Sequence, residues 1–145
     1  MAIVYLGLGS NLGNRKEFIS RALQELSASG IQIEKVSRTI ETKPEGGFQQ
    51  RDYFNAVLQA HTILSPTELF RRIKDIERKL GRKRTFVNAP RPIDIDILLY
   101  DRIHWRSPQM TIPHPRMWTR DFVMIPLKEI APDFVRELQD ENHSS

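Results

Sequence analysis

Two aspartates, Asp94 and Asp96, interrupt a run of strand-forming apolar residues in R-P-I-D-I-D-I-L-L-Y, from Arg91 to Tyr100. Strand side chains alternate faces, so the two carboxylates share one face, about 7 Å apart at Cα, while Ile93, Ile95 and Ile97 take the other. Like charges this close in a partly buried strand repel and lose hydration, so the pair needs a compensating cation or a shifted proton. A D-x-D pair on a wet edge strand is the simpler reading of the pair alone. Leu98 and Tyr100 argue against it: they share the aspartates' parity, so the face is expected to turn apolar and the carboxylates to stand at the mouth of a core. Oxygen ligands, with no cysteine and few histidines in the chain, favour Mg²⁺ over Zn²⁺. Mg²⁺ usually arrives with phosphate.

Positive charge is concentrated beside this pair. Between Arg71 and Arg91 stand Arg71, Arg72, Lys74, Arg78, Lys79, Arg82, Lys83, Arg84 and Arg91, against only Asp75 and Glu77. Arg71, Arg72 and Lys79 fit an ordinary solvated helix face. Arg82, Arg84 and Arg91 flank the loop that feeds the aspartate strand, where guanidinium forks can clamp polyphosphate oxygens. Charge neutralisation and alignment are most of what phosphoryl transfer requires.

Other polar residues are weighed singly. His61 and His104 read as structural, whereas His114, held between two prolines after Thr111 and before Arg120, reads as a ligand contact. Asn55 lies among Phe54, Ala56 and Val57 and must find a partner, either within the fold or on the edge of a flat heterocycle. Gly7, Gly9 and Gly13 have the spacing G-x-G-x-x-x-G with no following Lys-Ser or Lys-Thr, so packing and capping are the expected roles rather than a nucleotide loop.

The elements that must position these residues follow from periodicity. Ala2 to Leu8 is an apolar strand, and Asn14 with Glu17 opens a helix whose apolar face is Phe18, Ala22 and Leu26, ended by Gly30. Ile31 to Ile40 reads as a second strand, Glu41 to Gln50 as a loop, and Tyr53 to Ile63 as a third strand. Ser65, Pro66 and Glu68 start a second helix carrying Leu69, Ile73, Ile76 and Leu80. An irregular basic loop from Arg82 to Pro92, the aspartate strand, a short strand near Ile103 to Trp105 and a short helix from Phe122 to Ile130 complete the order. This order predicts an α+β single domain on the split βαβ, or ferredoxin-like, plan: an antiparallel sheet with two helices on one face. The domain is expected over residues 1–138, with 139–145 as a frayed tail.

At 145 residues the chain can bury one core without disulfides, and it contains no cysteine. No apolar run is long enough for a signal peptide or membrane span, so a soluble cytoplasmic protein with no membrane partner is expected. The net charge of +4 favours an anionic partner.

Taken together, the motifs resemble the 6-hydroxymethyl-7,8-dihydropterin pyrophosphokinase family of folate biosynthesis. The resemblance spans nearly the whole chain: G-L-G-S-N-L-G at Gly7 to Gly13, E-T-K-P at Glu41 to Pro44, D-Y-F-N-A at Asp52 to Ala56, G-R-K-R at Gly81 to Arg84, A-P-R-P-I-D-I-D-I-L-L at Ala89 to Leu99, I-P-H-P at Ile112 to Pro115 and R-D-F at Arg120 to Phe122. That family transfers pyrophosphate from ATP to the pterin hydroxymethyl group and releases AMP, with two Mg²⁺ ions on the strand aspartates. The resemblance therefore implies that Asp94 and Asp96 hold both ions and, with Arg82 and Arg91, carry catalysis. It implies an ATP side of Glu77, Arg82, Arg84, Arg91, Ile97, Thr111, His114 and Arg120, and a pterin pocket of Thr42, Tyr53, Asn55, Asp94 and Phe122. It further implies a monomer, alone or as one domain of a folate-pathway fusion. Asn88-Ala89 stands where the family commonly has Trp-Gly, Lys43 and Glu45 where it often has proline or apolar residues, and Pro115 where an aromatic is usual.

Two rivals remain distinguishable. An RNA-recognition module shares a basic split βαβ sheet but needs exposed aromatics on its central strands, and the aspartate strand would repel a phosphate backbone, so no nucleic-acid partner is expected. A pterin-binding homologue that has lost transfer is disfavoured by the presence of Asp94, Asp96, Arg82 and Arg91.

Overall fold

Nine residues of mostly apolar character, Ala2–Ser10, form β1, an inner strand of a five-stranded antiparallel sheet. The structure, a computed structural model, describes residues 1–44, 51–81 and 92–144, with side chains to residue 141. Helix α1 (Arg15–Ala28) is capped by the Asn14 side chain, which accepts the Glu17 N–H, and leads to β2 (Ile31–Val36). Short β3 (Ile40–Thr42) and long β4 (Tyr53–Thr62) follow. Helix α2 (Pro66–Lys79) starts on the expected capping box, Ser65 with Glu68, and is followed in the described chain by β5 (Asp94–Tyr100). The sheet order is β2-β4-β1-β5, with β3 beside β4. Each helix thus carries the chain over one intervening antiparallel strand: α1 over β4, and α2 over β1.

Both faces of the sheet are covered, not one. Ile19, Ala22 and Leu26 of α1 and Leu69, Ile73 and Ile76 of α2 pack on Leu6, Leu8, Leu58, Ile95 and Ile97. The opposite face, with Tyr5, Val57, Leu98 and Leu99, receives α3 (Asp121–Ile130) through Val123, Met124 and Leu127, and α4 (Pro132–Ser144) through Val135. Helix α4 was not expected from the polar C-terminal sequence. Phe134 stacks on Tyr5 with ring centroids 5.3 Å apart, and Arg102 in the turn after β5 bonds both Glu137 and Glu141. Those anchors keep the segment helical past Gln139, so residue 138 falls inside a helix.

Three further differences have local causes. The strand expected over Ile31 to Ile40 is broken at Ser37, whose Oγ accepts the Val57 N–H and whose own N–H donates to Val57 O, both at 2.9 Å. Glu41 and Thr42, expected in a loop, pair with Phe54 and Tyr53 instead. The late strand shifts to β6 (Trp105–Arg106), which pairs with an unanticipated β7 (Thr111–Ile112), and a 3-10 turn, Met117–Thr119, leads into α3. The remainder of the loop expected after Glu41 and most of the basic loop from Arg82 to Pro92 lie outside the described residues. Among the described residues no helix is long and apolar enough to cross a membrane.

Candidate active site

Register across β4, β1 and β5 builds the floor of a cleft. Gly9 stands between Asn55 and Asp94, and Gly7 between Val57 and Asp96. Two glycines in a row of facing positions leave a side-chain-free strip with carboxylates on one side and the Asn55 amide on the other. The approach is tight: a Cβ on Gly9 would lie 3.1 Å from Asn55 Oδ1 and 3.2 Å from Tyr53 Cδ1. Packing and capping were the expected roles of these glycines, and the structure adds that Gly7 and Gly9 line the cavity itself.

The parity argument for the aspartates holds as far as Leu98. Ile93, Ile95 and Ile97 belong to the core beneath α1 and α2, whereas Leu98 belongs to the other face with Val57. The register then slips: Leu6 faces Ile97 while Tyr5 faces Leu99, leaving Leu98 as the extra residue of a bulge. Tyr100 consequently packs with the α1/α2 core, contrary to the expectation from strict alternation.

Above the glycine floor lies a cavity lined by Thr42, Tyr53, Asn55, Asp94, Asp96 and Phe122. Asn55 is buried and its Nδ2 donates to Thr42 Oγ1 at 2.6 Å. Arg15 braces the outside of this wall, donating to Asp52 O at 2.8 Å and stacking 3.8 Å from the Phe54 ring centroid. Lys43 and Arg120 bring two cations to the same cavity.

A second cavity opens along the outer edge of β5, lined by Phe70, Lys74, Ile97, Met110, Thr111 and His114 among others. The His114 N–H donates to Leu98 O at 2.9 Å, which fastens this segment to the edge of β5. Asp96 lines both cavities and, among the described residues, is the only one to do so.

Electrostatics single out the same residue. Burial, then Asp94, then Glu77 push the Asp96 carboxyl up to about 7, with Lys74 and Arg120 opposing. A carboxylate in this setting favours a bound cation over a bare charge. His114 is displaced the other way: burial, then Arg120 and Arg116, hold it below the usual histidine range, against the pull of Asp94. Its Nδ1 accepts the Arg116 N–H at 3.3 Å, so the neutral ring carries its proton on Nε2. Among the described residues no group of three or more His, Cys, Asp or Glu is placed to hold a metal, so an ion on this aspartate pair would complete its shell with water or ligand oxygens.

The structure brings together all five residues expected around the pterin: Thr42, Tyr53, Asn55, Asp94 and Phe122. Of those expected on the nucleotide side, Ile97, Thr111 and His114 share the second cavity, and Arg120 lines the first. Glu77 lines neither and stands behind them in α2, 1 % exposed. Arg82, Arg84 and Arg91 lie outside the described residues. Lys74, counted in the basic run but given no role of its own from the sequence, also lines the second cavity. Its separation of three positions from Glu77, a carboxylate on the buried face of α2, was the available signal.

Comparisons with known proteins agree on one family. Residues 5–132 match the family described as 7,8-dihydro-6-hydroxymethylpterin-pyrophosphokinase (HPPK). The chain is 44% identical to the 2-amino-4-hydroxy-6-hydroxymethyldihydropteridine pyrophosphokinase of Aquifex aeolicus, covering 95% of this chain and 86% of that protein. It is 44% identical to the enzyme of the same name from Porphyromonas gingivalis, covering 91% and 92%. It is also 41% identical to the folic acid synthesis protein FOL1 of Dictyostelium discoideum, covering 92% of this chain but 20% of that one. Among solved structures, a Plasmodium falciparum HPPK-DHPS superposes with a TM-score of 0.70 at 14% identity, over 90% of this chain and 40% of that one, which speaks for the fold alone.

Proposed function

The chain belongs to the 7,8-dihydro-6-hydroxymethylpterin-pyrophosphokinase family, and we propose that its two cavities divide that family's reaction between them. It is a pyrophosphokinase of folate synthesis, transferring pyrophosphate from ATP to the hydroxyl of 6-hydroxymethyl-7,8-dihydropterin. The glycine-floored cavity takes the pterin, the cavity on the edge of β5 takes ATP, and the chemistry occurs where they meet. The observation that carries this division is Asp96, which lines both.

On the pterin side, Asn55 and Thr42 offer a paired amide and hydroxyl to the polar edge of a flat heterocycle, and Tyr53 and Phe122 offer aromatic surface. On the nucleotide side, the Ile95 N–H points away from β1 toward the outer edge of β5, where Glu77 takes it, and strand alternation turns the N–H and C=O of Ile97 the same way. That edge suits a base, with Thr111 and the Nε2–H of His114 beside it. Arg120 reaches the junction, and Arg82, Arg84 and Arg91 are read as the guanidinium clamp on the phosphates. The pterin oxygen bonds to the β-phosphorus, the bond from that phosphorus to the α,β-bridging oxygen breaks, its electrons leave with AMP, and the hydroxyl proton is released.

Asp94 and Asp96 are read as the ligands of two Mg²⁺ ions, whose bound charge would offset that of the phosphates and polarise the reacting oxygens. The fit rests on the donor set: two carboxylates on one strand face, one of them pushed up to about 7 by burial and its neighbour. The strand order, with each helix crossing an intervening strand, supports the split βαβ, ferredoxin-like reading of the fold. Relatives occur both at nearly this length and as much longer folate-synthesis proteins, so the unit is read as one that acts alone or fused. A monomer in the cytoplasm is proposed for the stand-alone form.

Chelation and substitution test the assignment. Turnover is expected to stop with chelator and return with Mg²⁺, and Asp96→Ala is expected to lower kcat at least ~100-fold while changing pterin affinity only a few-fold. Turnover indifferent to chelator, or equal losses in kcat and pterin affinity, would overturn it.

A further inference from the structure

Glu77 is a buried carboxylate that touches neither cavity, yet both of its oxygens are engaged. Oε2 accepts the backbone N–H of Ile95 at 2.8 Å, and Oε1 receives Lys74 Nζ at 3.0 Å. Ile95 is the residue between the two aspartates, and β5 is an edge strand whose other side is held by β1. Among the described residues no strand neighbours the outer edge of β5 at this point, and a side chain from α2 satisfies a backbone group that a strand would otherwise take. A carboxylate buried this deeply is tolerated only when paired and hydrogen-bonded, and Lys74 supplies the counter-charge from the rim of the nucleotide cavity.

We propose that Glu77 is a positioning residue: by holding the Ile95 N–H it fixes the backbone between Asp94 and Asp96, and so the relative orientation of the two carboxylates. Its effect passes through the strand and not through contact with nucleotide. The inference deepens the functional reading above and rests on it for the consequence on turnover, whereas its structural half can be judged without turnover.

The test compares Glu77→Gln, which keeps an oxygen acceptor for Ile95, with Glu77→Leu, which keeps volume and loses the acceptor, both in the full chain. Four quantities are read: hydrogen exchange at the Ile95 amide, the affinity for Mn²⁺ alone, the affinity for a non-hydrolysable ATP analogue without divalent ion, and kcat. For Glu77→Leu, Ile95 exchange is expected to rise at least ~100-fold, Mn²⁺ affinity to fall ~10-fold and kcat ~100-fold, with analogue affinity within about twofold of wild type. Glu77→Gln is expected to keep Ile95 protected and kcat within about fivefold of wild type. The proposal is overturned if Glu77→Gln loses kcat as severely as Glu77→Leu while Ile95 stays protected. It is equally overturned if analogue affinity falls ~10-fold while Ile95 exchange and kcat hold. Should Glu77→Leu fail to fold, Glu77→Gln decides alone: Ile95 protected with kcat within about fivefold of wild type supports the proposal, and Ile95 protected with kcat down ~100-fold overturns it. Wild-type protein without transferase activity would defeat the functional reading, and the exchange and Mn²⁺ measurements would still judge the positioning role.

Discussion

Asn55 Nδ2 donates to Thr42 Oγ1 at 2.6 Å, tying β4 to short β3 across the wall of the cavity proposed for pterin. The two residues pre-set each other: the amide is oriented by the hydroxyl, and the hydroxyl oxygen is committed as acceptor. Asn55→Leu removes the amide and leaves the Thr42 hydroxyl without this donor, a loss worth about 1–3 kcal/mol. Pterin affinity in an equilibrium titration is expected to fall ~10- to 100-fold, with a smaller change in kcat. Unchanged affinity would remove Asn55 from the pterin site.

Gly9 tests the cleft floor. A methyl group there meets Asn55 Oδ1 at 3.1 Å and Tyr53 Cδ1 at 3.2 Å, whereas at Gly7 the nearest atom is a Leu98 methyl at 3.6 Å. Gly9→Ala is expected to cost about 1–3 kcal/mol of stability through overpacking and to raise the pterin KM at least ~10-fold. Gly7→Ala is expected to disturb stability less. Denaturant melts and steady-state kinetics read both quantities, and a Gly9→Ala protein with wild-type pterin KM would show that the ligand does not lie on this strip.

The raised Asp96 carboxyl sets a pH dependence. Its folded value of about 7 lies above the ordinary 3.8, so between those values the folded protein binds the extra proton and stability falls as pH rises. Without divalent ion, the wild-type Tm is expected to decline from pH 5 to 7 relative to Asp96→Asn, and to run parallel to it above that range. A cation competes with the same proton, so the Mg²⁺ concentration for half-saturation should fall ~10-fold per pH unit up to about 7 and then level off. Parallel melting curves throughout would contradict this titration.

A structural control lies at the start of α2. Ser65 Oγ accepts the Glu68 N–H while the Glu68 carboxylate accepts the Ser65 N–H, a reciprocal cap remote from both cavities. Ser65→Ala should cost about 1 kcal/mol in a chemical denaturation curve. The kinetic constants should be unchanged.

Much of this arrangement was legible in the sequence because it rests on local rules. Alternation placed Asp94 and Asp96 opposite Ile93, Ile95 and Ile97, and the capping residues Asn14, Ser65 and Glu68 marked both crossover helices. What was missed depends on contacts distant in the chain. The bulge at Leu98 arises from pairing with Tyr5 and Leu6, and no periodicity within β5 reveals it. Helix α4 rests on Phe134 meeting Tyr5 and on Arg102 meeting two glutamates, contacts that no local pattern reveals, and from the sequence its last residues, from Gln139 on, read as a tail. Gly7 and Gly9 were judged by a nucleotide-loop spacing they do not fit, although their two-residue separation in a strand opposite Asp96 and Asp94 carried the better meaning. Glu77 entered through family resemblance as a nucleotide contact, and only the coordinates place its carboxylate on the Ile95 N–H.

The central claim is that the reaction at Asp96 joins a pterin oxygen to the β-phosphorus of ATP. Phosphorus NMR of the products, from ATP carrying ¹⁸O at the α,β-bridging position, tests it most directly. The account predicts pterin-dependent formation of AMP that retains the label, together with an intact pyrophosphate ester of the pterin. ADP as the nucleotide product, or free pyrophosphate with adenylylated pterin, would contradict it.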